Sequence, residues 1–212
     1  MLKTFQTLAF GTCLLALTSV AMAQTTETPV DPAPAADAGV ANDLAMGVET
    51  ATGLPAQADA AVGATYLAAS FDKWDQRCVK TADGADPCQL YQMLYLADGT
   101  SVAEISLFGL PAGGQAAAGA TFMAPLETLL TANLKITVDS GKTRIYPFAF
   151  CTKDGCVARL GFTTDELTAF KKGSRAIVTI VPAAAPDKSV DLDLTLNGFT
   201  AGFEAVAATM AP

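Results

Sequence analysis

Carboxylates and cysteines are the side chains of this 212-residue chain that could carry out chemistry, because the chain contains no histidine. The absence of histidine excludes Ser-His-Asp and Cys-His nucleophiles and histidine-ligated zinc or iron. Asp191 and Asp193 would lie on one face of a β-strand, about 7 Å apart, and could act as a general acid and base. Alternating Asp residues are also typical of the solvent-exposed face of an edge strand, which is the interpretation we favour.

Two other motifs resemble ligand sites but lack part of the required pattern. Residues 141–143 (Gly-Lys-Thr) resemble the end of a phosphate-binding loop, but Ile136 stands where that motif requires glycine. Asp83 and Asp86 flank a glycine and could bind calcium, although turn formation explains two Asp residues there more simply. We therefore predict no catalytic, cofactor-binding or metal-binding residue. A hydrolase that uses only carboxylates remains an alternative.

The cysteines indicate a disulfide framework. Cys13 lies in the apolar N-terminal segment, and four cysteines follow later: Cys78, Cys88, Cys151 and Cys156. In an oxidising compartment, four cysteines allow three connectivities. Pairing each cysteine with its nearest neighbour in sequence is the most economical, because each pair brackets a turn-rich segment and would face across a hairpin. The spacings do not match the usual zinc knuckles, which argues against a four-cysteine zinc site.

The chain divides into three parts by composition. Residues 1–23 combine Lys3, an apolar stretch and an Ala-Met-Ala site, which predict a signal peptide cleaved before Gln24. Residues 24–65 contain six acids and neither Lys nor Arg, so we expect a disordered acidic leader rich in Ala and Pro. Residues 66–212 form the predicted folded domain. We therefore expect a periplasmic or extracellular protein with no membrane span after signal cleavage, and its acidity argues against nucleic acid as a partner.

The elements that must position these residues are mostly strands. Residues 190–196 alternate apolar and polar side chains, as in a strand with one buried face. Thr163 and Glu166 predict the capping box of a helix that ends before Gly173 at its C′ position, and a second short helix is expected over 200–208. The other predicted strands are 74–80, 89–97, 102–110, 134–138, 144–151, 156–162 and 176–181. We predict an all-β fold: an antiparallel β-sandwich or open barrel with one or two short helices, stapled by two disulfides.

Five segments carry a family signature. They are WDQRCVK at 74–80, PCQLYQMLY at 87–95, VAEISLFGLPAGGQ at 102–115, YPFAFCTKDGCVARLGF at 146–162 and LNGFTAGFEAV at 196–206. From Trp74 onward the sequence resembles the invasion-associated locus B (IalB) family of alphaproteobacteria. The resemblance implies that the family's four cysteines correspond to those named above. It also implies an exported envelope protein, named for a role in host-cell invasion, with no established enzymatic activity.

These observations lead us to expect a non-enzymatic envelope protein that acts by binding an envelope or host-surface protein. A structural or stress-related periplasmic protein with no host role is the alternative. Because loops on a rigid scaffold often carry recognition, we predict one contact surface formed by loop 111–119 and both cysteine hairpins. Arg77 and Arg159 are expected to pack over aromatic rings or to pair with carboxylates. The aromatic residues expected in the core are Trp74, Tyr146, Phe148, Phe150 and Phe162.

Overall fold

A computed structural model of the protein describes residues 53–209, which contain eleven strands and two α-helices. The predicted signal peptide and most of the predicted leader lie outside the described residues. The strands are β1 (Thr65–Phe71), β2 (Trp74–Val79), β3 (Cys88–Tyr95), β4 (Ser101–Gly109), β5 (Ala118–Ala124), β6 (Leu134–Val138), β7 (Arg144–Tyr146), β8 (Phe148–Cys151), β9 (Cys156–Phe162), β10 (Arg175–Ile180) and β11 (Val190–Thr195). The helices are α1 (Thr164–Lys172) and α2 (Phe199–Thr209).

The strands form two antiparallel sheets around a shared core. The larger sheet has the order β1-β2-β3-β4-β5-β9-β8, and the smaller has the order β11-β10-β6-β7. Strand alternation places Leu90 and Leu94 of the larger sheet, and Leu192 and Leu194 of the smaller, in one buried cluster. Two sheets, two short helices and two disulfides confirm the predicted fold class.

A chain of aromatic rings connects the helices to both sheets. The rings follow the order Trp74, Phe199, Phe170, Phe162 and Tyr146, with successive centroids 5.3, 5.4, 4.9 and 5.8 Å apart. Tilted and edge-to-face pairs at such distances add to the stabilisation from burial. The two helices are therefore part of the core. Neither described helix is long and apolar enough to cross a membrane.

Helix α1 begins as the sequence predicts. The Thr163 hydroxyl accepts the Glu166 N–H, and the Glu166 carboxylate accepts the Thr163 N–H, which completes the capping box. Gly173 follows the helix as predicted, but the predicted reason for a glycine there is wrong, because its φ is −74° and not left-handed. Glycine is needed there for close packing: a Cβ atom would lie 2.7 Å from Val138 Cγ1 and 2.8 Å from Leu196 Cδ1.

The predicted strand over 144–151 is in fact two strands in different sheets. β7 pairs with β6 in the smaller sheet, and β8 pairs with β9 in the larger. Pro147 lies between them and lacks the N–H that a continuous ladder would use, so pairing stops and the chain changes sheets there. β1 and β5 were not among the predicted strands. Residues 53–64 of the predicted leader precede β1, and the Leu67 N–H donates to the Pro55 carbonyl.

Candidate functional site

A cleft of 610 Å³ opens beside strand β11, and we call it the β11 cleft. One wall consists of Asp191, Asp193 and Thr195 of β11. The opposite wall comes from β2 and β3 of the larger sheet and includes Tyr91 and Tyr95. The Tyr95 side chain is half exposed at the rim. The cleft therefore lies between the edge of one sheet and the surface of the other, with aromatic and charged side chains on its walls.

An Arg–Tyr–Glu row makes the β2–β3 wall rigid. The guanidinium carbon of Arg77 lies 3.2 Å from the Tyr91 ring centroid, and its Nη2 is 3.4 Å from Asp75 Oδ2. The Tyr91 hydroxyl donates to Glu104 Oε2 at 2.8 Å. Burial, together with the hydrogen bond to Glu104, raises the pKa of Tyr91 to about 12. Tyr91 therefore keeps its proton at neutral pH and holds Glu104 in place.

The three carboxylates of the cleft already have partners. Asp191 accepts the Thr179 hydroxyl, and Asp193 lies 3.5 Å from Arg175 Nη1. Asp75 accepts the Ser70 hydroxyl at 2.9 Å in addition to its ion pair with Arg77. The structure thus places both predicted carboxylates of β11 on an exposed face, with Asp193 74% exposed. Their contacts are those of a solvated edge strand.

A buried amide closes one end of the cleft. Gln92 faces inward between Leu90 and Leu94 on β3. Its Nε2 donates to the Thr195 carbonyl at 3.2 Å, and its Oε1 accepts the Thr195 N–H at 3.1 Å. Trp74 Nε1 donates to the same carbonyl at 2.9 Å. The side chains of the larger sheet therefore satisfy the backbone of β11 at Thr195, where its edge meets β3.

Asp86 anchors a loop at the other end of the larger sheet. Its carboxylate accepts the Tyr66 hydroxyl and both the N–H and hydroxyl of Thr81, at 2.7 to 2.8 Å. The hydrogen bonds from Thr81 and Tyr66 lower the pKa of Asp86 to about 2. Asp83 accepts the Ala85 N–H, as in an Asx turn. Within residues 53–209, no group of three metal-ligating side chains comes together.

A second cavity, of 230 Å³, lies between α1 and the β6–β7 edge. Three of its polar residues are engaged at the helix cap: the Tyr146 hydroxyl donates to Glu166 Oε1 at 3.1 Å, and Arg144 Nε lies 3.2 Å from the same oxygen. Burial opposes ionisation of Glu166, but hydrogen bonds from Thr163 and Tyr146 and the charge of Arg144 outweigh it and lower its pKa. Glu166 therefore holds α1 to β7, and we assign this cavity a structural role.

Comparison with known proteins gives the family. A model of the family described as invasion associated locus B (IalB) protein matches residues 74–207, well over half of the chain. The chain belongs to the IalB family. The matched residues include both disulfides and the lining of the β11 cleft apart from Lys73. No curated protein matches the chain.

A solved structure shows the same fold. The crystal structure of invasion associated protein B from Bartonella henselae superimposes with a TM-score of 0.56 at 20% sequence identity. The similarity covers 67% of this chain and 96% of that chain. At this identity the likeness supports the IalB fold and carries no functional residue across.

Both disulfides join the predicted partners within hairpins of the IalB domain. Cys78 faces Cys88 with Cα atoms 4.0 Å apart, and Cys151 faces Cys156 at 3.9 Å. The prediction of one surface carrying both hairpins and loop 111–119 is wrong. The strand register puts the first hairpin and that loop at one end of the larger sheet, and the second hairpin at the other end.

The structure also tests the aromatic and arginine predictions. Arg77 packs over Tyr91, and Arg159 lies over Phe150 with 5.3 Å between the guanidinium carbon and the ring centroid, as expected. Phe150 was predicted in the core but is 42% exposed, because it points outward from edge strand β8. Sequence reasoning missed Gln92, although a polar residue in an apolar inward-facing series is a detectable signal.

Proposed function

We propose that this IalB-family chain is an exported envelope protein that acts by binding another protein, of the envelope or of a host surface, without catalysis. The observation that carries the proposal is the open β11 cleft, which has an aromatic and charged wall and a strand edge. Such a surface suits recognition of a polypeptide, because it combines rigid side chains with backbone hydrogen-bonding groups.

The state of the carboxylates supports binding over hydrolysis. A general acid or base must present its carboxyl group to a substrate proton at hydrogen-bond distance. Asp191 and Asp193 are exposed and held by a threonine hydroxyl and an arginine. Replacement of both by Asn should therefore abolish no hydrolytic turnover, whereas loss of such a turnover would favour a carboxylate-based enzyme.

Export is supported by two independent features. Residues 1–23 have the pattern of a cleaved signal peptide, and both described cysteine pairs are oxidised, as is usual outside the cytosol. Sequencing the N-terminus of protein from the periplasmic and culture-supernatant fractions tests this step. A mature chain that begins at Gln24 is expected, and an unprocessed Met1 in a cytosolic fraction would contradict it.

Site-specific photo-crosslinking tests the binding function. A photoreactive amino acid at Tyr95 lies on the rim of the cleft, and one at Val62 lies on the surface near the opposite end of the larger sheet. These side chains are 52% and 67% exposed, so exposure does not favour the cleft position. We expect a discrete adduct from position 95 in intact cells or with host membranes and none from position 62. Equal labelling from both positions would contradict a specific interface.

A deletion strain separates a host role from a structural one. Loss of host-cell adherence with unchanged detergent resistance supports the host-directed function that gives the family its name. Increased detergent sensitivity with normal adherence instead supports a structural or stress-related envelope function.

A further inference from the structure

The free edge of β11 points into the cleft. β11 lies at the edge of the smaller sheet and, among residues 53–209, pairs only with β10. In an antiparallel strand, the N–H and C=O of alternate residues point to the same side. Gln92 binds both groups of Thr195, whereas the Leu196 N–H bonds towards β10. Asp191 and Asp193 share the direction of Thr195, so their N–H and C=O groups point away from β10 and into the β11 cleft.

The cleft has room for a strand beside this edge. β2 pairs with β3 only as far as the Asp75–Tyr91 register pair. From Gln92 onward, β3 has no strand on its β2 side within residues 53–209. The resulting space of 610 Å³ is lined by Asp191 and Asp193 of β11 and by Tyr91 and Tyr95 of β3.

We propose that β11 binds an extended segment of a partner protein as an added strand, and that this segment carries Lys or Arg at alternate positions. The proposal rests on the proposed binding function and specifies the chemistry of the partner. Main-chain hydrogen bonds to Asp191 and Asp193 supply the affinity, and the side chains opposite them select the sequence. A cation across from each carboxylate is favourable, whereas an acid there is unfavourable.

The same charges disfavour a second copy of this chain as the occupant. Antiparallel pairing of two β11 edges in one register would place Asp191 opposite Asp193 of the other copy, with like charges facing. A shift by one residue would place the core-facing Leu192 opposite Asp193, on the wrong face of the sheet. Both registers are unfavourable, which agrees with the use of edge charges to prevent self-association.

The chain's own N-terminal leader is disfavoured by composition. Residues 24–65 contain six acids and no Lys or Arg. A segment from this leader would bring no cation to Asp191 or Asp193. Lys73 and Arg77 also line the cleft, but they lie on its β2 side, and Arg77 is paired with Asp75. At the β11 edge itself, charge complementarity to Asp191 and Asp193 therefore favours a basic segment of another protein.

Short synthetic peptides test the docking mode directly. The probe is a peptide of about six residues in which Val and Lys alternate, a typical strand length. We expect saturable binding to the wild-type domain, with NMR shifts of the Asp191 and Asp193 amides. N-methylation of the peptide amides that face β11 should weaken binding about tenfold, because each blocked hydrogen bond is lost. The matched peptide, methylated on the opposite amides, should bind normally, and a Val–Glu peptide should not bind.

Protein variants give a second, independent test. Asp193→Pro removes an N–H that points into the cleft together with the carboxylate that would face a cation, and it leaves the ladder to β10 intact, as edge strands tolerate. It should weaken peptide binding about tenfold. Asp187→Asn, at an exposed acid in the loop before β11, should leave binding unchanged. If Asp193→Pro does not fold, the two methylated peptides decide the question on the wild-type protein.

Several outcomes would overturn the proposal. They are equal binding of both methylated peptides, amide shifts confined to the α1 cavity, equal binding of the Val–Glu peptide, or a dimer that Asp193→Pro dissociates. Failure of the peptides together with a specific Tyr95 crosslink would refute strand addition while the binding function stands. Loss of the Tyr95 crosslink together with peptide binding would refute both strand addition and the proposed binding function.

Discussion

Removal of each disulfide in turn tests whether the cross-links stabilise the domain by closing hairpin loops. The variants replace both cysteines of one pair by alanine, as C78A/C88A and C151A/C156A. The paired residues are 10 and 5 positions apart in sequence. In the chain-entropy model, cross-links over these lengths stabilise the folded state by about 2.7 and about 2.1 kcal/mol. Loop length alone thus makes the first pair the more important one.

Burial of the sulfur atoms increases this difference. Cys78 and Cys88 are 1% and 6% exposed, whereas in the second pair Cys156 is buried and Cys151 is exposed. A buried sulfur replaced by hydrogen loses apolar contact comparable to a methylene group, about 0.8 kcal/mol. We therefore expect the free energy of unfolding to fall by about 4 kcal/mol for C78A/C88A and by about 3 kcal/mol for C151A/C156A.

Urea unfolding, followed by the fluorescence of Trp74, measures both losses. Reduced wild-type protein is the control, because it loses both cross-links but keeps the sulfur atoms; it should be less stable by about 5 kcal/mol. The losses of the two pairs should add, since the hairpins lie at opposite ends of the larger sheet. A greater loss from C151A/C156A than from C78A/C88A would refute the reasoning from loop length and burial.

Three further perturbations probe the core, a turn and a buried carboxylate. Because the pKa of Asp86 is lowered from 3.8 to about 2, its stabilising effect is complete above pH 3.8 and is lost as the pH falls towards 2. Acid unfolding should therefore be shallower over this range in Asp86→Asn than in the wild type. Phe199→Ala should lower the free energy of urea unfolding by about 3–5 kcal/mol, and it should shift Trp74 emission to the red because the ring packs on the indole. Gly198 and Gly84 have φ of +80° and +78°, but only at Gly198 would a Cβ meet backbone, 2.2 Å from the Phe71 carbonyl oxygen. In thermal unfolding, Gly84→Ala should be less stable than the wild type by about 1–2 kcal/mol. Gly198→Ala should be less stable than Gly84→Ala by a further ~1–3 kcal/mol, because of the clash with backbone. Equal losses from the two variants would contradict the clash.

Local sequence signals predict the hairpins well. Asp154 and Gly155 form a strong turn between two cysteines, and the flanking strands then pair in the only register that brings the sulfurs together. The Thr163 capping box depends likewise on residues three positions apart. Such features need no knowledge of the rest of the fold, because all the interacting residues are close in sequence.

Features that depend on distant segments are harder to predict. β5 has small residues on both faces, so it lacks the alternation that identifies a strand. Gly119 is small because the Phe108 ring of β4 lies across it, 2.6 Å from where a Cβ would be. The chain changes sheets at Pro147 because the flanking strands β7 and β8 pair with β6 and β9, which lie in different sheets. No local sequence pattern around the proline indicates which sheets contain β6 and β9.

Gln92 connects the core of the domain to its candidate binding edge. A buried amide must satisfy both its donor and its acceptor, and the backbone of a strand edge offers one of each in the matching geometry. A polar residue between Leu90 and Leu94 therefore indicates contact with a strand edge, but not which one, since Thr195 lies 103 residues away. By satisfying Thr195, Gln92 ends the free edge of β11 at that point. The open edge therefore begins at Asp193, and the contact that closes the core also sets the position at which a partner strand would pair.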